Sequence, residues 1–235
     1  MKASSKAAAC GAGGSVRLVL LGPPGTGKGS LASLCEERLG VPHVSTGQIF
    51  REEISRRSAL GRRVQAYVAS GRLVPDRLVV QVMTRRLSQR AFAGGFILDG
   101  FPRTRGQAAG LNVALRRART PLDGAVVLQS PDALLVTRLS GRRVCGRCGA
   151  NYHVRSMRPK RPGRCDRCGG ALVTRADDAP RTIRQRLAVD GRAARPLLAY
   201  YRSRGLLREL DGRGNIEIVF RRAARLFRRE SWLPA

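Results

Sequence analysis

The sequence predicts an α/β protein built on a parallel sheet that carries helices on both faces. Short apolar runs alternate with longer amphipathic stretches, a glycine-rich turn follows the first run, and a helical pattern starts where that turn ends. This alternation is typical of parallel strands joined by crossover helices. The expected strands are "RLVLLG" at 17–22, "PHVS", "GFILDG" at 95–100, "AVVLQS" at 125–130 and "NIEIVF" at 215–220.

The segment "GPPGTGKGS", from Gly22 to Ser30, follows the first expected strand and opens a helix. Glycines in such a turn let backbone N–H groups surround a phosphate, the helix N-terminus adds a positive dipole, and Lys28 can reach the outer phosphates. A second glycine, Gly29, follows the lysine, so the hydroxyl comes one place later than in the commonest pattern. The sequence therefore predicts a P-loop NTPase-type fold.

Two stretches interrupt the alternation of strands and helices. Residues 45–74 show helical periodicity with no strand, and residues 141–178 contain two Cys-x-x-Cys pairs. Inserted loops at the carboxyl ends of parallel strands lie over the ligand site of such a sheet. We expect a core of 15–44, 75–140 and 179–235, a helical insertion at 45–74, a lid at 141–178 and a disordered tail at 1–14.

The composition favours anionic ligands. The 235 residues include 45 Lys plus Arg and 16 Asp plus Glu, which gives a net charge of +29. Nucleotide phosphates and nucleic acid both fit this charge. No run approaches the roughly 18 consecutive apolar residues of a membrane span, and the first residues lack the apolar region of a signal peptide. We expect a cytoplasmic protein that does not contact a membrane.

The spacing C-x2-C-x16-C-x2-C, formed by Cys145, Cys148, Cys165 and Cys168, predicts a zinc-ribbon lid with a closed, structural Zn²⁺ site. A disulfide or a metal-free cluster is the less favoured alternative, and His153 is an alternative ligand. A basic zinc ribbon could also bind nucleic acid. Tyr152 is its single aromatic residue, so the stacking platform typical of single-strand binders is missing, and non-specific binding to polyanions is the more favoured form.

An ordered series of motifs resembles the adenylate kinase family, within the nucleoside monophosphate kinases. The series comprises G-K-G-S in the phosphate loop, "STGQIFRE" at 45–52, "LDGFPRT" at 98–104, "GRRVC" at the start of the lid, "TRADD" at 174–178 and the 182–201 stretch. It covers about residues 16–220. The resemblance implies Mg²⁺-dependent phosphoryl transfer from ATP to AMP, giving two ADP, by a monomer with a five-stranded sheet, an AMP-binding insertion and a zinc lid.

The resemblance also implies a role for particular residues. Asp99 would orient the hydration shell of the Mg²⁺, and the catalytic residues would be Lys28, Arg103, Arg142, Arg175 and Arg186. The ATP-binding residues would be Gly25, Thr26, Gly27, Lys28, Gly29, Ser30, Arg138, Arg142, Asn151, Tyr152 and Gly214. The AMP-binding residues would be Thr46, Arg51, Arg72, Leu73, Val74, Gly100, Arg103, Gln107, Arg175 and Arg186.

Two departures from the family pattern stand out. Gln48 replaces the usual Asp after S-T-G, which removes a carboxylate near the expected phosphate region, and Pro180-Arg181 replaces a usually acidic pair. A kinase for another nucleoside monophosphate is the nearest alternative, although Thr46 and Gln107 favour adenine. The alternative that is not an enzyme is a zinc protein that binds nucleic acid and is regulated by nucleotides.

Overall fold

The computed structural model describes residues 16–233, so the predicted tail at 1–14 and Cys10 lie outside the described residues. The main sheet has five parallel strands, in the order β2-β3-β1-β4-β8. Their bounds are β1 Val16–Leu21, β2 His43–Ser45, β3 Gly95–Asp99, β4 Gly124–Gln129 and β8 Leu207–Asp211. The α/β fold class and the five-stranded parallel sheet are confirmed.

Eight α-helices are present within residues 16–233. They are α1 Lys28–Leu39, α2 Thr46–Ser55, α3 Ala59–Ser70, α4 Asp76–Leu87, α5 Arg105–Arg117, α6 Asp132–Ser140, α7 Pro180–Arg202 and α8 Ile216–Arg229. Short 3₁₀ turns occur at Arg90–Phe92 and Ala176–Asp178. None of the helices in this part of the chain is long and apolar enough to cross a membrane.

The central strand β1 packs against helices on both of its faces. Leu18 and Leu20 join α1 and α8 in one apolar cluster, whereas Val19 and Leu21 join the cluster on the opposite face, which includes residues of α4, α5 and α7. Successive side chains of a strand point to opposite faces, and a strand covered on both sides needs apolar residues at every position. The run "VRLVLL" meets that requirement at all but Arg17.

The prediction of a strand at "NIEIVF" is wrong. This segment begins α8, because the Asn215 side chain caps the helix by accepting a hydrogen bond from the Ile218 N–H. The buried residues of α8 follow the helical period and are Val219, Phe220, Ala223, Ala224, Leu226 and Phe227. The fifth strand is instead β8, the more polar segment "LRELD", which pairs with β4 at the sheet edge.

The two expected insertions have different secondary structure. Residues 45–74 contain α2 and α3, and residues 141–178 form a small antiparallel sheet of β5 Arg142–Cys145, β6 Asn151–His153 and β7 Leu172–Val173, in the order β6-β5-β7. The division of the chain into core, insertion and lid remains a prediction.

Trp232 lies at the end of the main sheet where β4 begins. Its ring packs on Phe227 and lies directly over Gly124, the first residue of β4.

Candidate active site

The turn between β1 and α1 is a phosphate-binding loop folded around its own lysine. Gly22, Gly25 and Gly27 have positive φ, and a Cβ at Gly22 would lie 2.4 Å from the Leu128 carbonyl oxygen. Lys28 Nζ donates to the carbonyl oxygens of Gly22 at 2.6 Å and Pro23 at 2.8 Å. Because Gly27 offers no side chain to cap α1, the N-terminal N–H groups of α1 are available to an anion.

A large cavity of about 810 Å³ lies over this loop, between the sheet, the lid and α2. Its volume is in the range of sites that take a drug-sized ligand. Every residue predicted on the ATP side lines it, namely Gly25, Thr26, Gly27, Lys28, Gly29, Ser30, Arg138, Arg142, Asn151, Tyr152 and Gly214. The structure therefore brings the phosphate loop and the lid residues to one space. Their individual roles remain predictions.

A smaller cavity of about 80 Å³ adjoins the large one, next to α2 and α3. Every residue predicted on the AMP side lines it, namely Thr46, Arg51, Arg72, Leu73, Val74, Gly100, Arg103, Gln107, Arg175 and Arg186. The two cavities share the side chains of Arg51, Arg103, Arg175 and Arg186. At about 80 Å³ the smaller cavity has roughly a tenth of the volume of the larger one.

The amide of Gln107 has a fixed orientation at the edge of the smaller cavity. Its Nε2 donates to Asp76 Oδ1 at 2.9 Å, and its Oε1 accepts the Arg103 N–H at 2.8 Å. Asp76 is held in turn by the Thr104 hydroxyl, which donates to Oδ2 at 2.7 Å. Gln107 is buried, so its remaining donor and acceptor positions present a defined polar edge to a ligand.

Two buried aspartates hold three of the arginines that line the larger cavity. Asp178 accepts hydrogen bonds from Arg142 Nε at 2.7 Å, from Arg142 Nη2, and from Arg186 Nη1 at 3.2 Å. Asp177 accepts from Arg175 Nε and Nη2, both at 3.1 Å, and its Oδ2 lies 2.9 Å from Arg186 Nη1. The three guanidinium groups are thereby positioned before any substrate arrives.

Burial lowers the pKa of several cations that face the phosphate region. It lowers the pKa of Lys28 to about 8, that of Arg51 to about 9 and that of Arg186 to about 10. Arg175 and Arg142 lower the pKa of Arg51 further, because like charges disfavour one another. A cation that is costly to keep charged in the empty site gains most from a phosphate, so this pattern favours a polyanionic ligand.

Asp99 ends β3 beside the phosphate loop. Burial raises the pKa of this carboxyl, but the neighbouring His43 and Lys28 outweigh burial and hold the pKa at about 2. His43 Nε2 lies 3.8 Å from Asp99 Oδ2. Asp99 is therefore ionised across the physiological pH range and suits the hydration shell of a hard cation.

The four cysteines predicted as metal ligands form one cluster in the lid. Their sulfur atoms all lie within 4.8 Å of one another, with Cys145 and Cys168 at 3.4 Å and Cys148 and Cys165 at 3.5 Å. Four thiolates around a tetrahedral Zn²⁺ lie about 3.8 Å apart when the Zn–S bonds are about 2.3 Å long. The donor set and its spacing therefore fit Zn²⁺.

His153 is placed away from this cluster. Its Nδ1 accepts the N–H groups of Arg155 at 3.1 Å and Ser156 at 3.2 Å, and its Nε2 lies 3.3 Å from the Thr137 carbonyl oxygen. Within residues 16–233 the group that can hold a metal is made of cysteines alone. His153 lines the larger cavity instead, which sequence reasoning missed because a lone histidine carries no motif.

Two other residues of the cavity wall make contacts that the sequence did not predict. Gln48 lies against Gly149 of the lid and donates to Glu52 Oε1 at 2.9 Å, so the position expected to lack a carboxylate contacts the lid through an amide. Asp190 of α7 also lines the larger cavity and lies near Arg103. No motif marked Asp190, and only the packing of α7 beside the phosphate loop reveals it.

Two adjoining cavities that share arginines beside a phosphate loop suit transfer of a phosphoryl group between two nucleotides, and the molecule belongs to the P-loop phosphotransferases. The family model for adenylate kinase matches residues 20–206. The adenylate kinase of Moorella thermoacetica is 49% identical over 204 residues, which cover 87% of this chain and 94% of that protein. The adenylate kinase of Clostridium tetani is 43% identical over 205 residues, covering 87% and 95%. The chain belongs to the adenylate kinase family.

Proposed function

We propose that the protein catalyses the reversible, Mg²⁺-dependent transfer of a phosphoryl group from ATP to AMP, which yields two molecules of ADP. The observation that best supports this reaction is the wall shared by the two cavities, where Arg51, Arg103, Arg175 and Arg186 face both spaces. Phosphoryl transfer needs no protein nucleophile. It needs donor and acceptor in line, positive charge around the transferred group and exclusion of water.

In this proposal the phosphate loop and Lys28 bind the outer phosphates of ATP, and Arg142, Arg175 and Arg186 stabilise the charge of the group in transfer. Arginines in such positions contribute about 10³ to 10⁵ in rate. Arg103, which lies next to the smaller cavity, would bind the phosphate of AMP. Closure of the lid over the larger cavity would exclude water from the reaction.

The proposal for adenine rests on Gln107 and Thr46. The Gln107 amide is held by Asp76 and by the Arg103 N–H, and the Thr46 hydroxyl donates to the Gly100 carbonyl oxygen at 2.9 Å. A polar edge whose donors and acceptors cannot exchange discriminates strongly against a base with the opposite pattern, because the buried polar groups would be left unpaired.

Two metal ions belong to the proposal. Mg²⁺ would enter with ATP, Asp99 would orient its hydration shell, and the bound ion would neutralise charge on the outer phosphates. Zn²⁺ would be held by Cys145, Cys148, Cys165 and Cys168 and would have a structural role. The buried apolar cluster of the lid consists only of Cys145, Tyr152 and Cys165, so a metal is the natural source of its stability.

We further propose that the enzyme is a cytoplasmic monomer and that its positive charge does not serve a specific nucleic acid. A salt titration distinguishes an enzyme whose charge serves its substrates from a protein whose charge binds nucleic acid. Catalysis in the cavity should survive moderate salt, whereas binding driven by counterion release falls steeply as salt rises.

The decisive experiment is a coupled assay of the purified protein with ATP, Mg²⁺ and, in turn, AMP, GMP, CMP or UMP. We expect rapid turnover with AMP and much slower turnover with the other three. Arg103→Met should abolish most of the activity, while Arg117→Met, an exposed arginine at the end of α5, serves as the control with the same charge change. The absence of turnover with AMP would overturn the proposal.

A further inference from the structure

The phosphate region contains one carboxylate that the reaction does not require. Asp190 Oδ1, on α7, lies 3.6 Å from Arg103 Nη1, and the two side chains are 15% and 35% exposed. Asp190 also lines the larger cavity. Its charge reaches Lys28, where it raises the pKa against the larger lowering by burial. A negative group therefore lies where the phosphates of both substrates are expected.

Arg103 is held differently from Arg142 and Arg175. Asp177 and Asp178 fix Arg175 and Arg142 through paired hydrogen bonds from each guanidinium group. Arg103 donates from Nε to the Gly100 carbonyl oxygen at 3.0 Å. Among residues 16–233, Asp190 is the one acidic residue with a carboxylate oxygen within 4 Å of the Arg103 guanidinium group. The distance of 3.6 Å between Arg103 Nη1 and Asp190 Oδ1 is too long for a hydrogen bond. The contact is an ion pair that can be exchanged without breaking a directed bond.

We propose that Asp190 is an internal counter-ion that neutralises Arg103 in the empty enzyme and competes with the phosphate of AMP for it. This inference rests on the proposed function. A phosphate oxygen can approach Arg103 to about 2.7–2.9 Å with charge-assisted hydrogen bonds, so it displaces the looser carboxylate. The displaced Asp190 carboxylate stays close to the incoming phosphate, and the repulsion between these like charges weakens binding.

The consequence is that Asp190 sets the affinity for the monophosphate. A site with this many arginines would otherwise hold its anionic product tightly, and tight, uniform binding does not increase turnover. A residue that merely positions Arg103 would have the opposite effect, because its removal would weaken the binding of AMP. The sign of the change in affinity separates the two roles.

The test compares the wild-type protein with Asp190→Asn, which keeps the shape and removes the charge. Titration calorimetry without ATP should show AMP binding about threefold to tenfold more tightly, in line with the loss of one partly exposed ion pair. Adenosine, which has no phosphate, should bind equally to both proteins. The KM for AMP should fall by a similar factor. Asp190→Glu, which restores the charge, should return both values towards those of the wild type.

The matched control is Glu209→Gln, which removes an exposed carboxylate paired with Arg202 on the sheet edge and should leave AMP binding unchanged. Unchanged or weaker AMP binding in Asp190→Asn, with the thermal unfolding profile intact, would overturn the inference. If this variant does not fold, Asp190→Ser carries the same expectation. The failure of the proposed function is distinct, since it would appear as a wild-type protein that does not turn over AMP.

Discussion

Replacement of Asp178 by Asn should destabilise the protein and slow the reaction together. The Asp178 side chain is 0% exposed and accepts hydrogen bonds from Arg142 of β5 and Arg186 of α7. It therefore joins the first strand of the lid to a helix of the core. An amide at this position keeps the shape but turns one acceptor oxygen into an NH₂ group that faces guanidinium donors.

The magnitude follows from the bonds that are lost. Charge-assisted hydrogen bonds contribute about 1.5–3 kcal/mol each, and removal of one partner of a buried ion pair costs about 3–5 kcal/mol. We expect the free energy of unfolding to fall by about 3–5 kcal/mol, which lowers the melting temperature by roughly 10 °C for a chain of this size. Because Arg142 and Arg186 lose the group that orients them, kcat should fall by about 10²-fold.

Urea unfolding followed by circular dichroism measures the change in stability, and the coupled assay measures kcat. Glu209→Gln is again the control, because its ion pair with Arg202 is exposed and should contribute at most about 1 kcal/mol. A change in the free energy of unfolding below about 1 kcal/mol for Asp178→Asn, with kcat unaltered, would refute the argument that Asp178 holds the arginines in place.

Three further predictions concern other parts of the site. Because burial lowers the pKa of Lys28 to about 8, kcat/KM for ATP should fall as pH rises above about 8. The lysine of the unfolded chain keeps its proton up to about pH 10.5, so the free energy of unfolding should rise between pH 8 and 10.5. A melting temperature that falls over this interval would contradict the lowered pKa of Lys28. Elemental analysis should find one zinc per chain in reduced protein. The zinc should be lost in Cys168→Ser but retained in Cys35→Ala, because Cys35 is buried in α1 and is not part of the lid cluster. Limited proteolysis of the Cys168→Ser protein should cut the lid first. Asp76→Ala should raise the KM for AMP about tenfold and reduce the preference for AMP over GMP, because the Gln107 amide loses one of its two hydrogen-bond partners. An unchanged preference in the coupled assay would show that Gln107 does not discriminate between the bases.

The sequence was most informative where chemistry is local. The phosphate loop and the cysteine cluster each depend on residues close together in the chain or on a fixed ligand spacing, so they could be predicted from the residues themselves, whereas the role of Asp99 came from the family resemblance. The segment "NIEIVF" was misassigned because short apolar runs occur at the start of buried helices as well as in strands. Asn215, which caps that helix, was the residue that distinguishes the two.

Relations between distant elements could not be predicted from the residues alone. Asp190 approaches Arg103 only because α7 passes beside the phosphate loop, and no spacing along the chain records this. The contact of Gln48 with Gly149 likewise joins α2 to the lid, and these two segments lie far apart in the sequence. Resemblance to a family supplied the AMP-side and ATP-side residues, and the structure shows that these residues line two adjoining cavities that share four arginines.

The position of Trp232 gives the protein a built-in optical reporter of its core. It is the single tryptophan of the chain, and it covers Gly124 at the beginning of β4, whereas the nucleotide cavity lies at the carboxyl ends of the strands. Its fluorescence should follow unfolding of the sheet and remain insensitive to nucleotides and to zinc. A second tryptophan placed in the lid would report on loosening of the lid, through changes in its emission wavelength and intensity. The two signals in one sample would then distinguish loosening of the lid from unfolding of the core.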